Sequence, residues 1–186
     1  MGLLWYIIVL VVPYVIQFVS FGISALIDRS ASLGGNLQPW YMIFLYFPLM
    51  IAEEWGWRGI ALPELEKRYN AVVSTFVLGA VWSLWHLPLF FIPGVAQYEM
   101  SLITFALSVM AMSFILTWIY NSTQSVLLCV FYRAMSNAAE AMGFNNWLDR
   151  TITADIGLGE LMRVMVIWIA AALIILLYLS KSQKRE

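Results

Sequence analysis

Six consecutive residues, Glu53-Glu54-Trp55-Gly56-Trp57-Arg58, set two adjacent carboxylates and a guanidinium inside a long apolar stretch. Ionisable groups are expensive in hydrocarbon, so an intramembrane acid is by default a functional-site hypothesis. Glu54 and Arg58 are four residues apart and share a helix face, so an ion pair accounts for Glu54. Glu53 points about 100° away and needs a different partner. As an unpaired acid in a low-dielectric site, Glu53 is the candidate functional residue of the run.

Two further polar groupings interrupt apolar runs. His86 is the one histidine of the chain, and Trp82 lies a turn before it on the same helix face. A lone histidine on an apolar helix is often a satisfied core residue. A stray carboxylate one helix away turns the reading toward an acid–base pair. Arg133 and Asn137 likewise share a face. Their structural role would be a buried arginine neutralising a glutamate, with Asn137 bonding across helices. Their alternative is a catalytic role.

The elements that carry these groups are membrane helices. The chain has 186 residues, 62% hydrophobic and 11% charged, with a mean hydropathy of +0.82. Ordinary soluble domains are about half apolar. The composition predicts a single all-α integral membrane domain over 1–186. A net charge of −1 offers no basic field for nucleic acid. The single cysteine, Cys129, can form neither an internal disulfide nor a zinc knuckle.

A spanning helix needs about 20 mainly apolar residues. Six stretches meet that demand: 3–27, 39–62, 71–92, 101–120, 125–142 and 161–179. The first has no preceding Lys or Arg and no cleavage-like ending, which predicts a retained helix rather than a signal peptide. Pro39 opens the second, and Pro63 starts the charged segment that ends it. An even number of spans puts both termini on one side. That side carries Lys67, Arg68, Lys181, Lys184 and Arg185, against Arg29, Arg150 and Arg163 on the other. Both termini are therefore expected in the cytoplasm. Trp5, Trp40 and Trp147 are either interfacial aromatics or fillers of helix–helix contacts.

Depth allows the polar groups to meet. At ~1.5 Å per residue, Glu53 lies ~14 Å from the end of its helix at Leu62 and His86 ~22 Å in from Ala71. Arg133 and Asn137 lie ~12 and ~18 Å in from Ser125. All fall within one hydrocarbon core ~30 Å thick.

With these motifs in order, the chain resembles the CPBP intramembrane proteases, a family of CAAX proteases and bacteriocin-processing enzymes also called Abi. The resemblance covers about 40–142. Its first motif, Glu-Glu-x-x-x-Arg, is met by Glu53, Glu54 and Arg58, running on into Gly59-Ile60-Ala61-Leu62-Pro63. Its second, an aromatic, three residues and a histidine, is met by Trp82 to His86. Its third is His-x-x-x-Asn, where Asn137 is kept and Arg133 stands in place of the histidine.

The resemblance implies an endopeptidase acting at or in the membrane, with Glu53, Glu54, His86, Asn137 and Arg133 as its catalytic set and Arg58 and Trp82 in support. Its implied substrate is a peptide or protein, lipidated or bacteriocin-like, and its implied partner is membrane lipid. Processing of such peptides or self-immunity is its implied task. So compact a chain suits a bacterial plasma membrane. Of two mechanisms linked to the family, one holds a metal with the glutamates and two histidines. Arginine offers no lone pair, so that site loses a ligand and no metal cofactor is expected. In the other, glutamate and the first histidine activate water, while the third-motif residues form the oxyanion hole. Arginine can still serve there. A tight Arg133–Glu53 pair would instead mark a pseudo-protease, an immunity or scaffold protein. A transporter fragment ranks last, since no inverted repeat is visible.

Overall fold

The apolar run after Gly2 contains no charged residue, and in the computed structural model it forms helix α1, Leu3–Ile27, despite an internal Pro13. The structure describes residues 2–27, 42–141, 151–153 and 156–183. Helix α2, Met42–Glu54, runs without a break into a π-helical segment, Trp55–Ala61, and then into the short α3, Leu62–Glu66. Helix α4, Ala71–Trp85, is capped by Asn70, whose side chain accepts the Val73 N–H at 2.9 Å. It ends where Leu87-Pro88 turns the chain into a 3₁₀ segment, Leu87–Phe91. Helix α5, Leu102–Thr123, closes on Gln124 in the left-handed conformation (φ 54°), and α6, Val126–Ala141, starts two residues later. A minimal antiparallel pair, Thr151–Thr153 with Ile156–Gly157, leads into α7, Leu158–Gln183.

Helix α5 sits at the centre, packed on α4 and α7, while α6 packs on α1 and α2 and α1 closes against α7. Trp82, Phe114, Leu116, Ile119, Leu128 and Tyr132 form the middle of the core. Outward faces are apolar: Leu26, Phe76, Ile103, Ile169 and Leu176 are exposed. Inside lie hydroxyls, including Ser20, Ser24, Thr75 and Ser113. Several are satisfied within their own helix, as in Ser24 to Ser20 C=O (2.8 Å) and Thr75 to Ala71 C=O (2.6 Å). Apolar outside and polar inside is the pattern of a polytopic membrane protein.

Among the described residues, four helical stretches are long and apolar enough to cross a membrane: Leu3–Ile27, Ala71–Phe91, Leu102–Thr123 and Glu160–Ser180. The second and fifth expected spans also form helices over their described residues, and these carry the charges of the first and third motifs. Pro63 does not end the second helix. It falls in the first turn of α3, and helical winding continues to Glu66. The predicted opening at Pro39, and Trp40, Trp147, Arg29, Arg150, Lys184 and Arg185, lie outside the described residues. Trp5 packs on Trp118 with ring centroids 4.9 Å apart, so it fills a helix–helix contact. Arg163, counted among the outer loop charges, is buried on α7 and pairs with Glu140 of α6.

Candidate active site

The two glutamates sit at the junction of α2 and the π segment. The wider π winding is unforeseen in the sequence, because nothing in Trp55-Gly56-Trp57-Arg58 disfavours an ordinary helix. Arg58 still reaches back to Glu54, its Nη1 lying 3.3 Å from Oε1 and 3.2 Å from Oε2. Both side chains are fully buried. Arg58 Nη2 also donates to Ser113 Oγ of α5 at 3.3 Å. Ser113 lies where α4 approaches α5 closely. A Cβ on Gly79 would lie 2.8 Å from Met110 Sδ and 3.2 Å from Ser113 Oγ.

Glu53 is not an unpaired acid. Arg133 Nη2 donates to its Oε2 at 3.0 Å, while Arg133 Nε lies 3.5 Å from Glu54 Oε1. One guanidinium from α6 therefore bridges both carboxylates. The 100° between adjacent residues on α2 opens the gap that Arg133 fills. Trp82 of α4 lies against the same group, its ring centroid 4.2 Å from the Arg133 guanidinium carbon and 4.8 Å from that of Arg58. Two acids and two guanidiniums thus meet on one buried indole with formal charges that cancel. Paired this way, and with cation–π contacts to Trp82, the charges avoid much of the penalty of isolated burial.

His86 is the C-cap of α4. Its Nδ1 lies 2.9 Å from the Trp82 carbonyl oxygen. A carbonyl can only accept, so Nδ1 carries the hydrogen and Nε2 keeps its lone pair. The ring is held edge-on by Trp85 (4.9 Å between centroids, 89°) and packs on Phe105 at 5.1 Å. The hydrogen bond of His86 goes to Trp82 rather than to either glutamate, so His86 joins the cluster through that residue. Asn137 lies one turn beyond Arg133, and its Nδ2 is 3.5 Å from Met50 Sδ, one turn before Glu53 on α2. The helices α2 and α6 thus run antiparallel past each other and carry both motif pairs in register.

The five residues Glu53, Glu54, Arg58, Trp82 and Arg133 touch directly. His86 and Asn137 stand at two edges of that group. Within it, Glu53 is the accessible member: its side chain is 19% exposed, against 8% for Arg133 and 0% for Glu54 and Arg58. Sequence reading missed Ser113, Met50 and Met112, whose Sδ lies 3.9 Å from Arg133 Nη1. Serines in apolar helices are too common a packing device to have singled out Ser113. Among the described residues, no three His, Cys, Asp or Glu side chains cluster as a metal site. Arg133 places a permanent cation between the two carboxylates and, unlike a histidine, has no lone pair to offer a metal.

Residues 35–139 match the family described as type II CAAX prenyl endopeptidase Rce1-like. The CAAX prenyl protease 2 of Methanococcus maripaludis is 31% identical over 142 residues, which cover 73% of this chain and 49% of the relative. The chain therefore spans about half the length of the curated relative it matches.

Proposed function

The chain belongs to the Rce1-like type II CAAX prenyl endopeptidase family, and from that premise we propose that it is an intramembrane endopeptidase driven by Glu53. Glu53 takes a proton from water, and the hydroxide attacks a peptide carbonyl of a membrane-held substrate. The C–N bond breaks as the proton passes from Glu53 to the leaving amine. His86 accepts a hydrogen bond from the same water through its free Nε2. Arg133 and the Asn137 amide donate to the oxyanion, an interaction worth about 2.7–4 kcal/mol for a well-aimed donor. Glu54 and Arg58 hold the first motif in place on Trp82. No step is assigned to a metal.

The observation that carries this reading is the asymmetry of the two acids. Glu53 has one short contact, through Oε2, and is partly exposed, whereas Glu54 is sealed against Arg58. The reading requires Arg133 to leave Glu53 when a carbonyl arrives, so that the base is freed as the oxyanion donor is recruited. The substrate class proposed first is a lipidated C-terminal peptide, with bacteriocin-like peptides second. The protein is placed in a bacterial plasma membrane with both termini cytoplasmic. The test is cleavage of a farnesylated CAAX peptide by purified protein in lipid nanodiscs. Wild type should cleave and Glu53→Ala should not. Equal cleavage by the two would sink the assignment.

A second reading rests on the same bridge. Arg133 engages both carboxylates, and a base held by a permanent cation is a weaker one. On this reading the chain keeps the family fold as an immunity or scaffold protein. Then Glu53→Ala and His86→Ala leave the cellular phenotype intact. The replacement Arg133→His separates the two readings: raised cleavage marks a handicapped enzyme, and lost folding marks a structural pair.

A further inference from the structure

A second polar region lies between α1, α5, α6 and α7, on the side of α6 away from α2. Tyr132, Ser136 and Glu140 point into it from α6, joined by Gln17, Met112 and Arg163. These residues line a cavity of about 20 Å³. One water needs roughly 10–15 Å³, so the space has room for about one water. Two of its lining groups are buried without a hydrogen-bond partner among the described residues, the Gln17 side-chain oxygen and Arg163 Nε. Gln17 is 6% exposed and Arg163 7%. One atom accepts and the other donates, so a water in reach of both would donate to the first and accept from the second.

Only two side chains separate this cavity from the glutamates. Met112 is a cavity wall, and its sulfur touches Arg133 Nη1. The other edge of Arg133 holds Glu53. A hydrolase embedded among apolar helices consumes one water per turnover and must draw it past lipid-facing surface. We propose that the cavity between α1, α5, α6 and α7 is a water-retention site, with Gln17 as its positioning residue, that resupplies Glu53 past Arg133. The retention role stands on the cavity; the resupply role rests on the proteolytic reading above.

The test uses the full chain in nanodiscs and the variant Gln17→Leu, which keeps bulk and removes the acceptor. Pulsed hydroxyl-radical labelling in ¹⁸O-water reports bound water at buried side chains. Tyr132 is 1% exposed and lines the cavity, whereas Phe114 is 2% exposed and does not. Wild type should label Tyr132 several-fold above Phe114, and Gln17→Leu should bring the two level. The cleavage kcat of Gln17→Leu should fall about tenfold, the scale of one lost hydrogen bond, with KM unchanged. The melting temperature should fall slightly, as expected for one lost water-mediated hydrogen bond. Equal Tyr132 labelling in both proteins would overturn the water site. Lost labelling with unchanged kcat would overturn the resupply role. If wild type cleaves nothing, the proteolytic reading and the resupply role fall together, and labelling alone decides the retention site.

Discussion

Two Glu–Arg pairs share one indole, and they differ in almost everything else. Glu54–Arg58 is local, four residues apart on one continuous helical stretch, and fully sealed. Glu53–Arg133 joins residues 80 positions apart on two helices and leaves its acid partly exposed. The first pair forms whenever the helix forms. The second forms only when α2 and α6 dock. A pair that is local and sealed stabilises the fold, whereas one that is distant and accessible can open without unfolding it. Adjacency in sequence therefore hides two different environments for the two acids.

The largest expected effect falls on the accessible acid. Glu53→Ala should lower cleavage by about 10²–10⁴-fold, the range for a general base, as read by peptide cleavage in nanodiscs. Residual activity within threefold of wild type would erase the distinction between the pairs. The sealed pair should respond in stability instead. Arg58→Ala leaves Glu54 buried without its partner and should destabilise by about 3–5 kcal/mol in denaturant titration. A loss under about 1 kcal/mol would mean that Arg133 alone satisfies Glu54.

Smaller effects test the supports. Gly79→Ala should cost about 1–3 kcal/mol, because its Cβ would meet Met110 Sδ and Ser113 Oγ, which must give way. Cleavage should fall with it if the α4–α5 approach positions Arg58. Ser113→Ala removes a single hydrogen bond to Arg58 and should cost about 1 kcal/mol, visible as a small drop in melting temperature.

Much of this was legible in the residues. Hydropathy located every major helix, and the spacing of Glu54 and Arg58 specified their contact. The order of the motifs around Glu53, His86 and Asn137 identified the family. What stayed hidden depends on how faces meet. Nothing along the chain tells that Arg133 points at Glu53 rather than at His86, because helix rotation is set by packing partners far away. Arg163 was misread for the same reason, since counting charges near helix ends treats them as solvent-facing unless a partner such as Glu140 is known. The π segment was invisible because its residues suit either winding. Met112 and Ser113 belong to a helix with no charged residue, so no chemical signal drew attention to it.

The account rests on Glu53 acting while Glu54 supports, and paired isosteric variants test that most directly. Glu53→Gln and Glu54→Gln should be compared for single-turnover cleavage of a farnesylated CAAX peptide and for melting temperature in the same nanodiscs. The prediction is that Glu53→Gln loses at least about 10²-fold in rate with its melting temperature held, while Glu54→Gln loses stability first. Cleavage retained by Glu53→Gln, or equal loss of stability in both variants, would contradict it.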